Sequence, residues 1–529
     1  MQLEIWRKLP PLSLLILAGL QIIPLWLFQY FPSQDGPSHL YNTNVLNSYS
    51  IIPIFREYYY IHFSVAGNIL SQLLLSGLAG IFGYSGGEKL FLTVYTILMI
   101  AGFSYLLTTL KCTATPFVLF VFLFTPNYFL FMGFWNFCLS IPICLISMSY
   151  YWKASIRPTT RSYVIFAVLS LLTYAAHMLS WAVLLVTIAV DTLLFAFVVW
   201  RSAGIRDGLA VIRPRAILAA CGAIPAVLLL FYATQINASG GGALEETLRA
   251  RAWPLYSTSF LRGLSPAGQA TSAFFVGTVV LLFAIAALNR WRRNRQFLPT
   301  DNLLVSSLTI AILSVAASNS LGGAYVRERF SLYAWMLLVI WLAVQSWSPA
   351  IQRATHVLLA IACIGFAVTG LSSIEAWNRE LGEYVTASQV IERGSTILPI
   401  QLDMRTPNID PIYHAVDLIA LRRAAVDLRN YEALLPYFTV AFNPGRSPLG
   451  YLAFTTEGPP ATPIPFDIAG FERAARGSVD YVVAYGSSRA GVFPETLLYS
   501  QQLQSYECIW TSEPTHVVRV YRSRAAVRP

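Results

Sequence analysis

The sequence is short of charge, and it lacks the motifs of several common protein classes. Only 12% of its 529 residues are charged, against roughly 25% in soluble domains. Its six cysteines form no CxxC pair and have no histidine at the spacing of a zinc site, so they predict no cysteine metal centre. The glycine-rich segment 83–90 lacks the Lys-Ser/Thr ending of a phosphate-binding loop. These absences exclude an ordinary soluble domain and a P-loop nucleotide enzyme.

Long apolar stretches take the place of the missing charge. Hydrophobic residues make up 56% of the chain, and many stretches approach the roughly 20 apolar residues that cross a bilayer. We therefore predict a polytopic α-helical membrane protein. The first stretch resembles a signal peptide, but Pro32-Ser-Gln-Asp is a poor cleavage site, so this stretch is predicted to remain as a helix. The apolar stretches are 12–31, 64–83, 90–110, 116–132, 137–152, 162–180, 182–200, 216–233, 271–289, 303–319, 331–347 and 355–374.

Basic residues set the predicted topology, because short cytoplasmic loops are enriched in lysine and arginine. The pair at 7–8 places the N-terminus in the cytoplasm. The basic clusters within 153–161, 201–215 and 290–295 join it there only if segment 64–83 lies in the interface instead of crossing. The prediction is therefore about eleven transmembrane helices. These loops account for the net charge of +10, so no nucleic-acid partner is expected.

The chain divides into two parts at about residue 375. Residues 1–375 form the predicted membrane domain, with a long first outer loop at 32–85. Charge rises beyond this point, and 376–529 has the size of a separate α/β domain, predicted to be extracytoplasmic. Within it we predict strands at 397–403, 479–486 and 516–523 and helices at 382–393 and 410–424.

An acidic residue opens the first outer loop, and a histidine follows it one helical turn later. Asp35 and His39 share one face if the segment is helical. A carboxylate at the mouth of a membrane protein is costly unless it is used. We interpret the two residues as catalytic, as a general base or as a pair that binds an acceptor. The alternative is structural, because Asp35 could cap a helix that begins at Pro37.

Two arginines flank a glutamate at the membrane surface in VRERF, residues 326–330. A guanidinium group binds phosphate oxygens with two parallel hydrogen bonds, so Arg327 and Arg329 are candidate ligands of a lipid phosphate. Their side chains diverge in a helix, so only one of them is expected to bind the phosphate. Membrane anchoring or a local pair with Glu328 is the structural alternative.

Further polar residues fall on the same predicted outer face and are candidates to line a substrate cavity. Several have an ordinary alternative: His177 as a structural hydrogen-bonding group, Glu88 as an ion pair with its neighbouring lysine, and Asn136 within an aromatic interface belt. Arginines of the loop 234–270 belong either to a mobile lid or to a merely flexible loop. The candidates are Tyr41, Asn42, His62, Glu88, Asn136, His177, Arg249 and Arg251.

The layout resembles the GT-C superfamily of polyprenyl-phosphate-sugar-dependent membrane glycosyltransferases. One span leads to a long outer loop with an early acid at Asp35, and a short apolar helix ending in Phe-Gly precedes the next span, as in IFGYSGGEKLFLTVYTILMIAGFSYLL (81–107). The protein mannosyltransferase and aminoarabinose transferase types are nearest in layout. Asp-Gly-Pro stands where the family often has Asp-Glu, and the Lys-Pro-Pro that often opens the short helix is absent. These departures leave the subfamily and the sugar open.

The resemblance implies an enzyme of a bacterial inner or plasma membrane with its site on the extracytoplasmic side. A polyprenyl-phosphate sugar would be the donor, and a glycan, lipid or protein the acceptor. Asp35 would take the acceptor's proton in an inverting displacement, while Arg327 or Arg329 would stabilise the leaving phosphate. No cofactor is required by this mechanism, although a divalent metal is compatible with Asp35.

Other classes stay open at this point. A lipid or glycan transporter or flippase would carry polar groups near the bilayer midplane, whereas the polar groups here collect at one predicted face. A non-catalytic subunit of an envelope polysaccharide assembly would use the C-terminal domain as a binding module. A ligase or polymerase of another fold would use the arginines and histidines.

Overall fold

The computed structural model shows a helical membrane part followed by a C-terminal part built on a β-sheet. It describes residues 12–63, 65, 67–112, 115–235, 247–265, 267–292, 298–318, 324–401, 409–435, 437–448, 467–475, 477–486 and 502–526. The helices are α1 (Leu12–Leu27), α2 (Gly36–Ser48), α3 (Pro53–Tyr58), α4 (Ile69–Thr109), α5 (Val121–Phe124), α6 (Tyr128–Met132), α7 (Trp135–Ile156), α8 (Thr160–Ala176), α9 (Met178–Gly222), α10 (Ala226–Gln235), α11 (Leu248–Ser257), α12 (Gly268–Arg292), α13 (Asn302–Ala316), α14 (Val326–Ala343), α15 (Pro349–Thr386), α16 (Val416–Arg423) and α17 (Ile468–Ala475). The strands are β1 (Tyr59–Ile61), β2 (Thr396–Gln401), β3 (Val426–Asp427), β4 (Val440–Phe442), β5 (Tyr481–Tyr485), β6 (Tyr506–Thr511) and β7 (Val518–Ser523).

Apolar helices dominate the first part of the chain. Six helical stretches of the described residues are long and apolar enough to cross a membrane. Large apolar side chains on their surfaces are exposed, among them Leu193 on α9, Leu281 on α12 and Ile361 on α15. Surfaces of this kind fit lipid rather than water. The prediction of a polytopic helical membrane protein is confirmed, and the number of eleven spans stays a prediction.

The segment predicted to lie in the interface is the first half of a broken helix. Helix α4 has non-helical backbone at Gly83, with φ 73° and ψ 166°, which separates residues 69–82 from 84–109. Glycine suits this place because a positive φ strains other residues. The break agrees with the treatment of 64–83 and 90–110 as two segments.

Segment 116–132 is not one transmembrane helix. It consists of a 3₁₀ turn at 115–120 and the short helices α5 and α6, with Pro126 between them. Proline lacks the N–H that a continuous helix needs. Most of the side chains here are buried inside the protein. The structure therefore corrects the prediction of a single span, because this apolar run fills the interior of the bundle instead of facing lipid.

Helix α9 doubles back on itself. Helical residues cover Met178–Gly222, and a straight helix of this length would extend for about 68 Å. Yet the indole N–H of Trp181 donates to the carbonyl of Gly222 at 2.9 Å. The two ends therefore lie side by side, as expected if 182–200 and 216–233 are separate spans.

Basic residues from two predicted cytoplasmic clusters meet at one end of the bundle. Asp191 on α9 forms an ion pair with Arg215, at 3.3 Å, and accepts a hydrogen bond from Asn302. The neighbouring Asp301 pairs with Arg290 through two hydrogen bonds of 2.8 and 2.7 Å. These contacts agree with the prediction that both clusters lie on the same side of the membrane.

The C-terminal part contains a five-stranded mixed sheet in the order β3-β2-β5-β7-β6. Strand β2 pairs in parallel with β3 and β5, and β7 runs antiparallel to β5 and β6. The three predicted strands are present as β2, β5 and β7, and α16 lies within the predicted helix 410–424. The helix predicted at 382–393 is the end of α15, which continues through residue 375 to Thr386, and a 3₁₀ turn at 387–390.

Helix α2 joins the two parts of the protein. Ten of its thirteen residues are buried. Asn42 exchanges hydrogen bonds of 3.0 and 2.9 Å with Asn430, and the Tyr41 hydroxyl donates to the carbonyl of Ala425 at 2.8 Å. Strand β1 of the same loop pairs with β4 of the C-terminal part. The first loop is therefore the surface on which the C-terminal part docks.

A glycine packs against the start of α2. Gly133 follows α6 with φ +87°, and a Cβ atom there would lie 2.6 and 2.7 Å from the backbone nitrogens of Gly36 and Asp35. Its carbonyl also lies 2.8 Å from Nε2 of His39. The position needs glycine both for its backbone conformation and for the space.

We expect Gly133→Ala to destabilise the protein by at least about 1 kcal/mol through the left-handed backbone alone, with a further loss from the clash. Thermal unfolding in lipid nanodiscs measures the change. Gly277→Ala on α12 is the matched control, because its added Cβ meets no described atom within 4 Å and alanine favours a helix. Equal melting temperatures for the two variants would contradict the close approach.

Candidate active site

Asp35 stands at the start of α2 but does not cap it. The residue directly precedes the helix, with Pro37 in the first turn, yet its side chain makes no capping hydrogen bond. Its backbone N–H donates to the carbonyl of Met132 at 3.0 Å, which holds the residue against the α6–α7 turn. The carboxylate is therefore left for other partners.

The Asp35 carboxylate is buried against the C-terminal part. Its Oδ1 atom lies 3.7 Å from Nε2 of His414 and 3.4 Å from Nε2 of Gln34, and the Tyr431 hydroxyl donates a hydrogen bond to it. Burial raises the pKa of Asp35 from 3.8 to about 7, although the charge of His39 and the hydrogen bonds from Tyr431 and Gln34 oppose the rise. A carboxyl that titrates near neutrality is suited to take up and release a proton.

His39 has a partner at both ring nitrogens. Nδ1 lies 2.6 Å from Oε1 of Glu432, and Nε2 lies 2.8 Å from the carbonyl oxygen of Gly133. The imidazole also packs against Trp135, with 5.4 Å between the ring centroids. Burial lowers the pKa of His39, but the carboxylates of Glu432 and Asp35 and the hydrogen bonds outweigh it, so the pKa is raised overall.

Three residues of the C-terminal part complete this cluster, and no pattern in the sequence points to them. They are His414, Tyr431 and Glu432. The rings of His414 and Tyr431 lie 4.6 Å apart, and burial is the main cause that lowers the pKa of His414 to about 3, which keeps it neutral. No spacing in the sequence connects these residues with Asp35, because they are more than 370 positions away.

Arg329 is a buried cation that packs on aromatic rings. Its guanidinium carbon lies 4.8 Å and 5.2 Å from the ring centroids of Phe134 and Phe137, an arrangement typical of cation–π contacts. No ion pair with a carboxylate involves Arg329 among the residues that the structure describes. A buried charge without a counter-ion is costly, so this guanidinium is suited to bind an anion.

His177 contacts Arg329 from the start of α9. Its Nδ1 lies 3.1 Å from the backbone N–H of Leu179 and caps the helix, while Nε2 lies 3.0 Å from Nη1 of Arg329. A neutral imidazole has only one acceptor nitrogen, so Leu179 and Arg329 compete as donors. His177 therefore cannot accept fully from both donors, which leaves Arg329 with N–H groups available for another acceptor. The Nε atom of Arg329 is also buried without a partner among the described atoms.

Tyr325 is close enough to both Asp35 and Arg329 to be affected by their charges. Its ring packs against Tyr128 and Phe134, with centroid distances of 5.7 and 5.8 Å. Burial raises the pKa of Tyr325 and the charge of Asp35 raises it further, whereas Arg329 lowers it. Both charged groups thus act on one phenol. Tyr325 has φ 59°, a strained backbone of the kind that collects at functional sites.

The two arginines of VRERF diverge as predicted. Nε of Arg327 donates to the carbonyl of Ala317 at 2.8 Å, and the backbone carbonyl of Arg327 accepts from Ser314 at 2.8 Å. Arg327 therefore ties α14 to the end of α13, while Arg329 faces the aromatic cluster.

An apolar groove adjoins the Asp35 segment. It has about 730 Å³ of empty space, part of it open to the outside. Phe31 and Phe131 line it and stack on each other at 5.5 Å. The carbonyl of Phe131 accepts from the N–H of Gln34 at 2.9 Å. One wall of the groove is therefore continuous with the backbone that carries Asp35.

The remaining predicted cavity residues have other surroundings. Tyr41 and Asn42 bind the C-terminal part, as described above. The backbone N–H of His62 donates to the carbonyl of Thr439 at 2.9 Å, next to the β1–β4 pair. Asn136 accepts from the backbone N–H of the following residue at 2.8 Å. The substrate roles of these four residues stay predictions.

Three further candidates stay predictions. Arg249 and Arg251 lie on α11, where Arg249 is exposed. Glu88 is buried in α4, and no ion pair joins it to Lys89 within the described part of the chain. No cluster of three metal-ligating side chains is found among the described residues.

The site thus combines a carboxyl that titrates near neutrality, a glutamate–histidine pair and a buried arginine at one end of a helical membrane protein. No family model and no curated protein matches the sequence. Thirteen chains among the solved structures match it. One is the crystal structure of ArnT from Cupriavidus metallidurans bound to undecaprenyl phosphate, with 9% sequence identity, a TM-score of 0.48 and coverage of 98% of each chain. This likeness concerns layout and assigns no chemistry to any residue.

We expect Asp35→Asn to stabilise the protein, and to do so more strongly at high pH. The folded-state pKa of Asp35 lies above its ordinary value of 3.8, at about 7, so wild-type stability falls as pH rises between these values. Asparagine removes this penalty, which reaches up to about 4 kcal/mol at pH 8 and less than half of that at pH 5. Thermal unfolding at the two pH values measures the difference.

Glu375→Gln is the control for this measurement, because its side chain is 61% exposed. It should change stability little at either pH. A destabilised Asp35→Asn protein, or an equal effect at pH 5 and pH 8, would show that the carboxylate is not disfavoured by burial.

Proposed function

We propose that this protein is an integral-membrane glycosyltransferase that moves a sugar from a polyprenyl-phosphate donor to an extracytoplasmic acceptor. The observation that carries the proposal is that Asp35 and Arg329 are both near enough to Tyr325 for their charges to act on it, with an apolar groove adjoining the Asp35 segment. Such a reaction needs a base for the acceptor, a cation for the phosphate and an apolar place for the lipid chain. The GT-C resemblance of the sequence supports the same chemistry.

The helix lengths support an extracytoplasmic site. Arg329 lies in the first turn of α14, whereas Trp341, twelve residues later, donates to Asp301 at 2.9 Å, next to Arg290. Twelve residues of helix span about 18 Å. If the basic end faces the cytoplasm, as the positive-inside rule favours, the candidate site lies toward the opposite face. A lipid-linked donor reaches that face without any nucleotide.

In the proposed reaction, the acceptor oxygen attacks the anomeric carbon while the bond from that carbon to the phosphate oxygen breaks. Ionised Asp35 takes the acceptor's proton. The polyprenyl phosphate leaves with the electron pair, and Arg329 donates hydrogen bonds to its oxygens. A single displacement of this kind inverts the anomeric configuration, and these steps use no cofactor.

Asp35→Asn should lower the rate of sugar transfer by about 10²-fold or more, because the base is lost while the shape is kept. The measurement uses purified protein in nanodiscs and a panel of radiolabelled polyprenyl-phosphate sugars, with release to water or to added acceptor as the readout. Glu375→Gln should retain wild-type activity. Equal release by wild type and Asp35→Asn would remove Asp35 from the mechanism, and no release from any donor would favour a transporter or a scaffold.

Arg329→Gln should lower kcat/KM for the donor by about 10²-fold, since stabilisation of the phosphate is lost. Arg329→Lys should fall between wild type and Arg329→Gln, because an ammonium keeps the charge but not the two-pronged hydrogen bonding. Arg379→Gln on α15, with a side chain 78% exposed, is the control. Unchanged kinetics in a well-folded Arg329→Gln protein would disprove the phosphate role.

A further inference from the structure

The acid–base cluster is built from both parts of the chain. Asp35 and His39 come from the first loop, whereas His414 and Glu432 come from the C-terminal part. His414 lies next to Asp35, and Glu432 lies next to His39. The distances are 3.7 Å for His414 to Asp35 and 2.6 Å for Glu432 to His39. All four residues are buried. A domain that served only as a lid or an anchor would not need to place ionisable groups here.

The hydrogen bonds of His39 define its protonation state. The carbonyl oxygen of Gly133 can only accept, so Nε2 at 2.8 Å must carry a hydrogen. Oε1 of Glu432 lies 2.6 Å from Nδ1, a separation at which a proton must lie between the two atoms, and with Glu432 ionised that proton belongs to Nδ1. Both contacts are satisfied together when the ring is an imidazolium. The positive charge then lies one helical turn from Asp35 and is shared between two carboxylates.

We propose that Glu432 is a positioning residue of the active site, which holds His39 as a doubly hydrogen-bonded imidazolium and thereby keeps Asp35 ionised for its role as base. The proposal rests on the glycosyltransferase function for the role of Asp35. The state of His39 itself rests on geometry alone. The C-terminal domain thus sets the charge state of the site that the membrane domain carries.

The surrounding charges agree with this assignment. Glu432 and Asp35 both raise the pKa of His39, and the charge of His39 in turn opposes the rise that burial causes in the pKa of Asp35. The positive charges of Arg429 and His39 both act on His414, which stays neutral. Tyr431 donates to Asp35 and does not titrate in the working range, because burial raises its pKa well above the usual value.

The state of His39 can be measured without any substrate. Protein with isotope-labelled histidine in nanodiscs gives one NMR titration for each of its six histidines, and His39→Gln identifies the signal of His39. We expect His39 to stay protonated to a pH above the ordinary value of 6.5 and, in Glu432→Gln, to lose its proton at a lower pH, since burial then prevails. An unchanged titration in Glu432→Gln would overturn the proposal.

The pH dependence of turnover supplies the second readout. The acid limb of the kcat profile reports the ionisation of Asp35 in the complex. His39→Gln should move that limb upward by about one pH unit or more, because a neighbouring positive charge is removed. Glu432→Gln should move the acid limb by less than His39→Gln does. It weakens the positive charge of His39, but it also removes the negative charge of Glu432, which itself raises the pKa of Asp35. Glu432→Asp should restore the wild-type profile in part.

A purely structural role for Glu432 gives a different pattern. The rate would then fall equally at every pH, with the acid limb in place, and that result would overturn the proposal. Glu507→Gln, at an exposed position on β6, is the matched control and should change neither readout. If no donor supports turnover, the glycosyltransferase function fails, while the NMR titration still decides the state of His39.

Discussion

A polar helix buried in a membrane protein must find its hydrogen-bonding partners inside the protein, and α2 is such a helix. Its sequence, GPSHLYNTNVLNS, has no continuous apolar face that lipid could cover. The C-terminal part supplies partners instead, as the Asn42–Asn430 pair and the bond from Tyr41 to Ala425 show. The candidate site lies at the first turns of this helix. It therefore exists only where the two parts of the chain meet.

The site holds buried charges that the protein compensates only in part. Arg329 has aromatic rings and a histidine for neighbours, and Asp35 is so enclosed that its pKa rises to about 7. Both arrangements reduce the stability of the empty protein. A substrate that brings a phosphate to Arg329 and a hydroxyl group to Asp35 would relieve both at once. The burial of two incompletely compensated charged groups at one place is thus better explained by a need to bind substrate than by a contribution to folding.

The sequence revealed the class of fold but only half of the site. Apolar runs and basic loops predicted the polytopic membrane part, and alternating apolar residues predicted three strands of the C-terminal sheet. Segment 116–132 was misjudged because hydrophobicity alone does not distinguish a lipid-facing helix from a buried, broken one. Asp35, His39 and Arg329 could be chosen as candidates because carboxylates and arginines are costly near a membrane.

Other features of the site depend on distances that no local pattern encodes. His414, Tyr431 and Glu432 reach Asp35 and His39 only through tertiary packing, so neither periodicity nor motif spacing points to them. The same holds for the position of His177 beside Arg329. Tyr41 and Asn42, by contrast, were assigned to a substrate cavity because they are polar residues on an outer loop, and their partners turned out to be another part of the same chain.

The position of α2 in the chain also imposes an order on biosynthesis. The helix ends at Ser48, whereas β4, which pairs with the strand that follows it, ends at Phe442. At roughly 5–20 residues per second, the ribosome needs on the order of 20–80 s to make the intervening segment. During that time Tyr41 and Asn42 of α2 lack the partners that the C-terminal part supplies. The nascent protein must therefore keep this segment hydrated or attended by other proteins, and no active intermediate can arise before translation is nearly complete.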